Sequence, residues 1–71
     1  MQANQTILQM KYARIVKLFA EQAGISYEDA LGKFYDSTTF ELIRNGIADM
    51  HCFSDEYLAE ELLIELGYKK V

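Results

Sequence analysis

Apolar side chains recur every three or four positions over the first third of the chain. They form one stripe of an α-helix, which consists of Leu8, Tyr12, Ile15, Val16, Phe19 and Ala23. Gly24 follows this stripe, at the position after a helix where glycine adopts a left-handed backbone without steric cost. The pattern predicts a first helix from about Thr6 to Ala23.

A second apolar face follows Ser26, and it consists of Tyr27, Ala30, Leu31 and Phe34. The Ser26 hydroxyl can cap a helix, and Glu28 and Asp29 would lie in its first turn, next to the positive end of the helix dipole. These features predict a second helix over residues 27–35.

A short third helix is indicated by a capping box. Thr38 and Glu41 have the required spacing, a hydroxyl followed three residues later by a glutamate. The residues predicted to face the core are Phe40, Ile43 and Ile47. Residues 45–46, Asn-Gly, are predicted to end this helix.

The last helix is predicted after a connection over residues 47–53 that contains a helical turn. Ser54 offers a cap, Gly67 a stop, and the inner stripe consists of Leu58, Ala59, Leu62 and Leu66. No stretch has the alternation of a strand. We therefore predict an all-α fold, a small compact bundle of four helices with no sheet. It would be a single domain over residues 1–71, frayed at 1–5 and 68–71.

Length and composition narrow the class of protein further. A chain of 71 residues has room for one core. Its one cysteine, Cys52, cannot form an internal disulfide, which is typical of a reducing compartment. No apolar run approaches the roughly 20 residues of a membrane span, and the polar start does not resemble a secretion signal. We expect a soluble cytoplasmic protein.

The charges are unevenly distributed along the chain, whose net charge is −4. Lys11, Arg14 and Lys17 occur in the first twenty residues without an acid, whereas residues 36–65 contain eight acids and only Arg44 as a base. An acidic chain repels phosphate backbones, so nucleic acid is a disfavoured partner.

Residues 23–26, Ala-Gly-Ile-Ser, resemble the turn of a helix-turn-helix DNA-binding protein. The second helix would then enter the major groove, with Glu28, Asp29, Gly32, Lys33 and Asp36 facing outward. Three carboxylates and one lysine are the wrong charges for that position. We interpret the segment as an ordinary helix corner and keep a DNA-binding regulator or antitoxin-like subunit as the alternative function.

His51 and Cys52, with Asp49 and Asp55 nearby, are the candidates for a metal or catalytic site. The chain has no second histidine or cysteine, and no third group would orient a Cys–His pair. We predict no metal, no cofactor and no catalytic residue, with Cys52 as a small buried apolar residue. His51 is expected to hydrogen-bond a backbone group or a helix end. An enzyme would need a cleft around His51.

Both terminal helices carry a second apolar stripe. Ile7, Met10 and Leu18 lie on the basic side of the first helix, and Tyr57 and Ile64 lie opposite the inner stripe of the last. This excess predicts a surface for another protein chain. Its predicted residues are Met10, Lys11, Arg14, Leu18, Tyr57, Glu60, Glu61 and Ile64. The sequence thus favours a small acidic protein–protein interaction module, whose partner is a second copy or another bacterial protein.

The order of these parts resembles an uncharacterised family of small all-helical bacterial proteins, a domain of unknown function. The resemblance covers residues 12–62 and rests on a Gly-Ile-Ser corner, Phe34-Tyr35, and an apolar-His step at Met50-His51 before Tyr57-Leu58 and acids. Members often have Leu-His-Thr at that step, where this chain has Met-His-Cys. The resemblance implies no activity, cofactor or catalytic residue. Such proteins are similar in size and charge to small partner subunits of bacterial toxin-like or defence loci.

Overall fold

The structure, a computed structural model, describes residues 5–46 and 52–70. Four α-helices occur in this part of the chain: α1 over Gln5–Ala23, α2 over Tyr27–Tyr35, α3 over Thr38–Arg44 and α4 over Asp55–Glu65. Strands are absent from the same residues, so the predicted all-α fold with a short third helix is confirmed. Among these helices, none combines the length and apolar character that crossing a membrane requires.

Serine residues begin three of the helices. Ser26, Ser37 and Ser54 each have an extended backbone, and each hydroxyl accepts a hydrogen bond from the amide three residues later, at 3.0–3.1 Å. Gly24 and Gly67, which follow α1 and α4, have φ angles of 72° and 83°. The predicted caps at Ser26 and Ser54 and the two glycine stops are therefore confirmed.

The predicted capping box at the third helix is wrong. Ser37, not Thr38, is the N-cap, which places Glu41 one residue too far along for the box. Ser37 is buried, and its hydroxyl also donates to the carbonyl of Phe34 at 2.6 Å, which joins α3 to the end of α2. The first free amides of α3 instead bind a carboxylate from α4.

That carboxylate belongs to Glu65. One of its oxygens accepts from the amide of Thr38 at 2.7 Å. The other accepts from the amide of Thr39 at 2.9 Å and from its hydroxyl at 2.7 Å. A helix start has unpaired N–H groups and a partial positive charge, so this contact both caps α3 and fixes it to the end of α4.

The helices close a ring around one core, because α1 packs on α2 and α4, and α3 packs on the same two helices. The buried apolar side chains are Tyr12, Ile15, Val16, Phe19, Ala20, Ala30, Phe34, Ile43, Leu58, Ala59, Leu62 and Leu63. Most of the predicted inner positions are among them. Tyr27 was predicted to face the core but is 43% exposed, because it is the first residue of α2 and directly follows the corner between α1 and α2. Leu63 is buried in addition, since α4 has two neighbouring helices.

The predicted frayed ends are described only in part. Residue 5 begins α1, and residues 68–70 follow α4. The amides of Tyr68 and Lys69 donate to the carbonyl of Leu63, at 2.9 and 3.3 Å. Residues 1–4 and 71 lie outside the described residues.

Candidate interaction surface

The first and last helices lie side by side and point in the same direction. Lys11, in the first half of α1, contacts Asp55 at the start of α4. Phe19, in the second half of α1, packs on Tyr68 just beyond the end of α4, with the ring centres 5.5 Å apart. The apolar stripes of α1 and α4 both face the common core. The stripes on the opposite sides of these helices therefore both face outward, on the same side of the protein.

That side carries one row of residues from each helix. At spacings of three and four residues, the rows are Met10, Arg14 and Lys17 on α1 and Tyr57, Glu60 and Ile64 on α4. We call these six residues the outer α1–α4 face. Met10 is 58% exposed and Tyr57 is 46% exposed, whereas Ile64 is half-buried.

The residues predicted for a contact surface fall partly within this face. Those within it are Met10, Arg14, Tyr57, Glu60 and Ile64. Lys11 lies in the seam between the two helices, and Glu61 lies one turn from Tyr57. Leu18 is half-buried and packs against the core, so it leaves less free apolar surface than its position on the helix suggested. The side chain of Ile7 lies outside the described residues. A role of these residues in binding stays a prediction.

An ion cluster closes the seam between α1 and α4. The ammonium group of Lys11 is 3.1 Å from one oxygen of Asp55, and Nε of Arg14 is 2.6 Å from the other. Lys11 also donates to the carbonyl of Phe53 at 2.7 Å. The Lys11 and Asp55 side chains are only 14% and 20% exposed, whereas that of Arg14 is 52% exposed. The cluster therefore orients the two helices, and the outer part of the Arg14 guanidinium remains open to solvent.

The cluster shifts the titration of its carboxyl group. Burial alone would raise the pKa of Asp55, but hydrogen bonds from Arg14 and Lys11 and their positive charges lower that pKa below its ordinary value of 3.8. Asp55 thus stays ionised at neutral pH.

Tyr57 lies beside a second aromatic ring and a carboxylate. Its ring meets the ring of Phe53 edge to face, with the centres 5.0 Å apart, and Phe53 is itself 38% exposed. The Glu61 carboxylate, one turn later, raises the pKa of Tyr57 because it favours the protonated phenol and its negative charge opposes the phenolate. The two rings form an exposed aromatic pair beside the start of α4.

The acids of α4 have different partners. Glu60 forms an ion pair with Lys69 at 2.6 Å, and both side chains are about half exposed. Glu65 caps α3 and does not belong to the surface. The sequence grouped these acids together because their spacing is similar, but Glu60 pairs with a residue just beyond α4, whereas the partners of Glu65 lie 26 and 27 residues earlier in the chain.

Three residues in or beside the outer α1–α4 face were not among the predicted ones. The sequence already showed Lys17 as a cation on the side of α1 opposite the apolar stripe, and Lys17 lies in the outer α1–α4 face. Phe53 and Asp55 precede or begin α4, and the contacts that place them are made with α1. Phe53 and Asp55 can be placed beside this face only once the parallel packing of α1 and α4 is known. Helical spacing within one segment gives no information about how two helices pack.

The prediction of a buried cysteine is wrong, because Cys52 is exposed. It lies between helices, two residues before the α4 cap, and none of the described helices covers its side chain. The predicted role of His51 and the core position of Ile47 lie outside the described residues. Within the described residues, no group of three or more potential ligands is placed to hold a metal ion.

A shallow groove lies where α2 meets α3. Its volume is about 270 Å³, and it is lined by Tyr35, Asp36, Ser37, Phe40, Glu41 and Arg44. The guanidinium of Arg44 lies 5.9 Å from the centre of the Phe40 ring, and the rings of Tyr35 and Phe40 meet edge to face at 4.9 Å. Small-molecule sites are usually larger and mostly apolar, with few polar groups. The charged residues of this groove instead have the character of solvated surface.

The outward row of α2 bears on the DNA-binding alternative. Glu28, Asp29, Lys33 and Asp36 are all exposed. A helix that enters the major groove needs donors and positive charge toward the phosphates, whereas this row has three carboxylates and one ammonium group. The surface that α2 offers is therefore unfavourable for DNA.

The two carboxyl groups with lowered pKa values predict an acid-sensitive fold. Burial opposes the ionisation of Glu65, but its hydrogen bonds from Thr39 and Thr38 lower the pKa below the ordinary value of 4.5. Both Asp55 and Glu65 therefore stabilise the folded state above their ordinary pKa values. That contribution is lost as pH falls through the lower folded-state values. We expect the urea midpoint to fall between about pH 5 and about pH 3.

The measurement compares the wild type with an Asp55→Asn/Glu65→Gln variant. The variant should be less stable at neutral pH and should lose less stability on acidification. Glu28→Gln, which alters an exposed acid of α2, should retain the wild-type slope. Parallel slopes in all three proteins would contradict the assignment.

Comparisons of the chain with protein-family models, with curated proteins and with solved structures find no match. The resemblance to the small helical bacterial family stays a prediction.

Proposed function

We propose that the protein acts by binding another protein chain through the outer α1–α4 face. The observation that carries this proposal is the exposure of Met10 and Tyr57, 58% and 46%, on the same side of two parallel helices. Methionine, tyrosine and arginine are enriched at protein–protein contacts, and Arg14 lies in the same face. The small size and acidic charge of the chain also agree with a partner subunit.

The charges around Met10 and Tyr57 specify the kind of partner. The α1 row carries Arg14 and Lys17, and the α4 row carries Glu60. The matching surface has apolar side chains level with the start of α4, acids on the side that meets α1, and a base on the side that meets α4. Such an arrangement fixes the orientation of the partner more than it raises affinity.

The test uses tagged protein recovered from the cells that produce it. A Met10→Glu/Tyr57→Glu variant should lose any stoichiometric partner, a second copy included, because it places charge at both of the exposed apolar side chains of the contact. Tyr27→Glu is the matched control, since Tyr27 is 43% exposed but lies on α2.

A captured chain supports the proposal only if it binds the purified protein in a fixed ratio, as measured by calorimetry. It must also lose that binding with the double variant and keep it with the control. Equal binding by the double variant and the wild type would contradict the proposal. So would the absence of any binding chain.

A further inference from the structure

We infer that the chain on the outer α1–α4 face is a second copy of this protein, related to the first by a two-fold axis along the helices. This inference rests on the proposed function and names its partner. Most two-chain assemblies of identical chains have two-fold symmetry, in which the same patch is used on both sides. A patch can pair with itself only if its charges are arranged to match after the rotation.

The charges of the outer α1–α4 face have that arrangement. The cations Arg14 and Lys17 follow α1 on one side, ahead of the exposed acid Glu21 one turn further on, and Glu60 follows α4 on the other. A rotation about an axis parallel to the helices puts α1 of each copy against α4 of the other, so the basic row meets the acidic row twice. An axis across the helices would instead put basic against basic and acidic against acidic.

The heights of the residues along the helix axes, called levels below, agree with this pairing. Lys11 and Arg14 both contact Asp55, so α1 positions 11 to 14 are level with the start of α4. Both helices rise by about 1.5 Å per residue. Lys17 is therefore level with α4 positions 58 to 61, which include Glu60. Because the rotation preserves level, Lys17 of each copy comes opposite Glu60 of the other.

The contacts within one chain leave these groups available. Glu60 is paired with Lys69, but both side chains are about half exposed, and exposed pairs of this kind contribute little. Arg14 uses Nε for Asp55, and the other nitrogens of its guanidinium make no ion pair or hydrogen bond with the described residues. Among the described residues, Lys17 makes no ion pair.

The available area also fits a small dimer. A stable contact of standard size covers about 800 Å² on each partner. That is about one-sixth of the 4817 Å² surface of this chain, and the face spans two of its four helices. We expect a dimer that dissociates on dilution.

Sedimentation of the purified protein from about 1 to about 100 µM, concentrations that bracket a moderate affinity, tests the inference. The mass should rise from one chain to two. Lys17→Glu and Glu60→Lys should each weaken the dimer by about tenfold or more, because each change places like charges together twice. An equal mixture of the two variants should restore it, since the mixed dimer has opposite charges at both positions. The double variant should also dimerise.

Lys33→Glu is the control, because Lys33 is exposed on α2, away from this face. Circular dichroism of each variant checks that it is folded. A wild type that stays monomeric throughout overturns the inference, and so does a mixture no tighter than the single variants. If the monomer still binds a different chain through Met10 and Tyr57, the proposed function stands and only the identity of the partner is wrong.

Discussion

Phe34→Ala is expected to destabilise the protein by about 3–5 kcal/mol, the usual range for removing a buried phenylalanine ring. Phe34 is fully buried, and its ring lies 5.5 Å from Tyr12 and 5.1 Å from Phe40, measured between ring centres. Because these rings come from three helices, the substitution leaves a cavity at the point where those helices meet.

The size of the chain makes this loss severe. At about 0.05–0.15 kcal/mol per residue, the 71 residues give a total stability of about 4–11 kcal/mol. Thermal unfolding followed by circular dichroism should show a large fall in the midpoint or no folded baseline. Tyr27→Ala, on the same helix but 43% exposed, should change the midpoint little. Equal effects of the two changes would show that the aromatic cluster is not the centre of the core.

Glu65→Ala is expected to lower the free energy of unfolding by about 1–3 kcal/mol, because it removes a charged cap and leaves the first amides of α3 without their partner. Glu65 accepts three hydrogen bonds from Thr38 and Thr39, and its side chain is the contact that holds the start of α3 at the end of α4. Urea unfolding at neutral pH measures the loss.

Glu41→Ala is the matched control for the cap. If the sequence-predicted box between Thr38 and Glu41 capped α3, this change would be the costly one. The structure gives the cap to Ser37 and Glu65, so Glu41→Ala should change stability by no more than about 0.5 kcal/mol. A larger cost for Glu41→Ala than for Glu65→Ala would contradict the observed contact.

Local signals were sufficient where the deciding groups are neighbours in the chain. Ser26 and Gly24 lie beside the ends that they define, so α1 and α2 were predicted within a residue or two. At α3 two hydroxyls are adjacent, Ser37 and Thr38, and the pattern alone favoured the second because a glutamate follows it at the right distance. The carboxylate that caps this helix is Glu65, from a separate segment, and no local pattern indicates it.

The same limit applies to the candidate surface. Helical spacing placed Met10 and Arg14 on one row and Tyr57 and Glu60 on another. That the two rows face the same side follows from the parallel packing of α1 and α4, which the contacts of Lys11 with Asp55 and of Phe19 with Tyr68 together establish. Burial was hardest to predict at segment ends, as at Tyr27 and Cys52, because the number of neighbours there depends on the path of the chain.

The ring of helices has a consequence for how the chain folds during its synthesis. α1 is made first and packs most extensively on α4, which is the last of the four helices to emerge from the ribosome. Until then, the apolar side chains of Ile15 and Phe19 lack one of their covering helices. Because a contact between distant segments must close a long loop, completion of the core waits for α4. The interval before α4 packs is therefore when the chain is most prone to aggregate, since transiently exposed apolar surface drives that association.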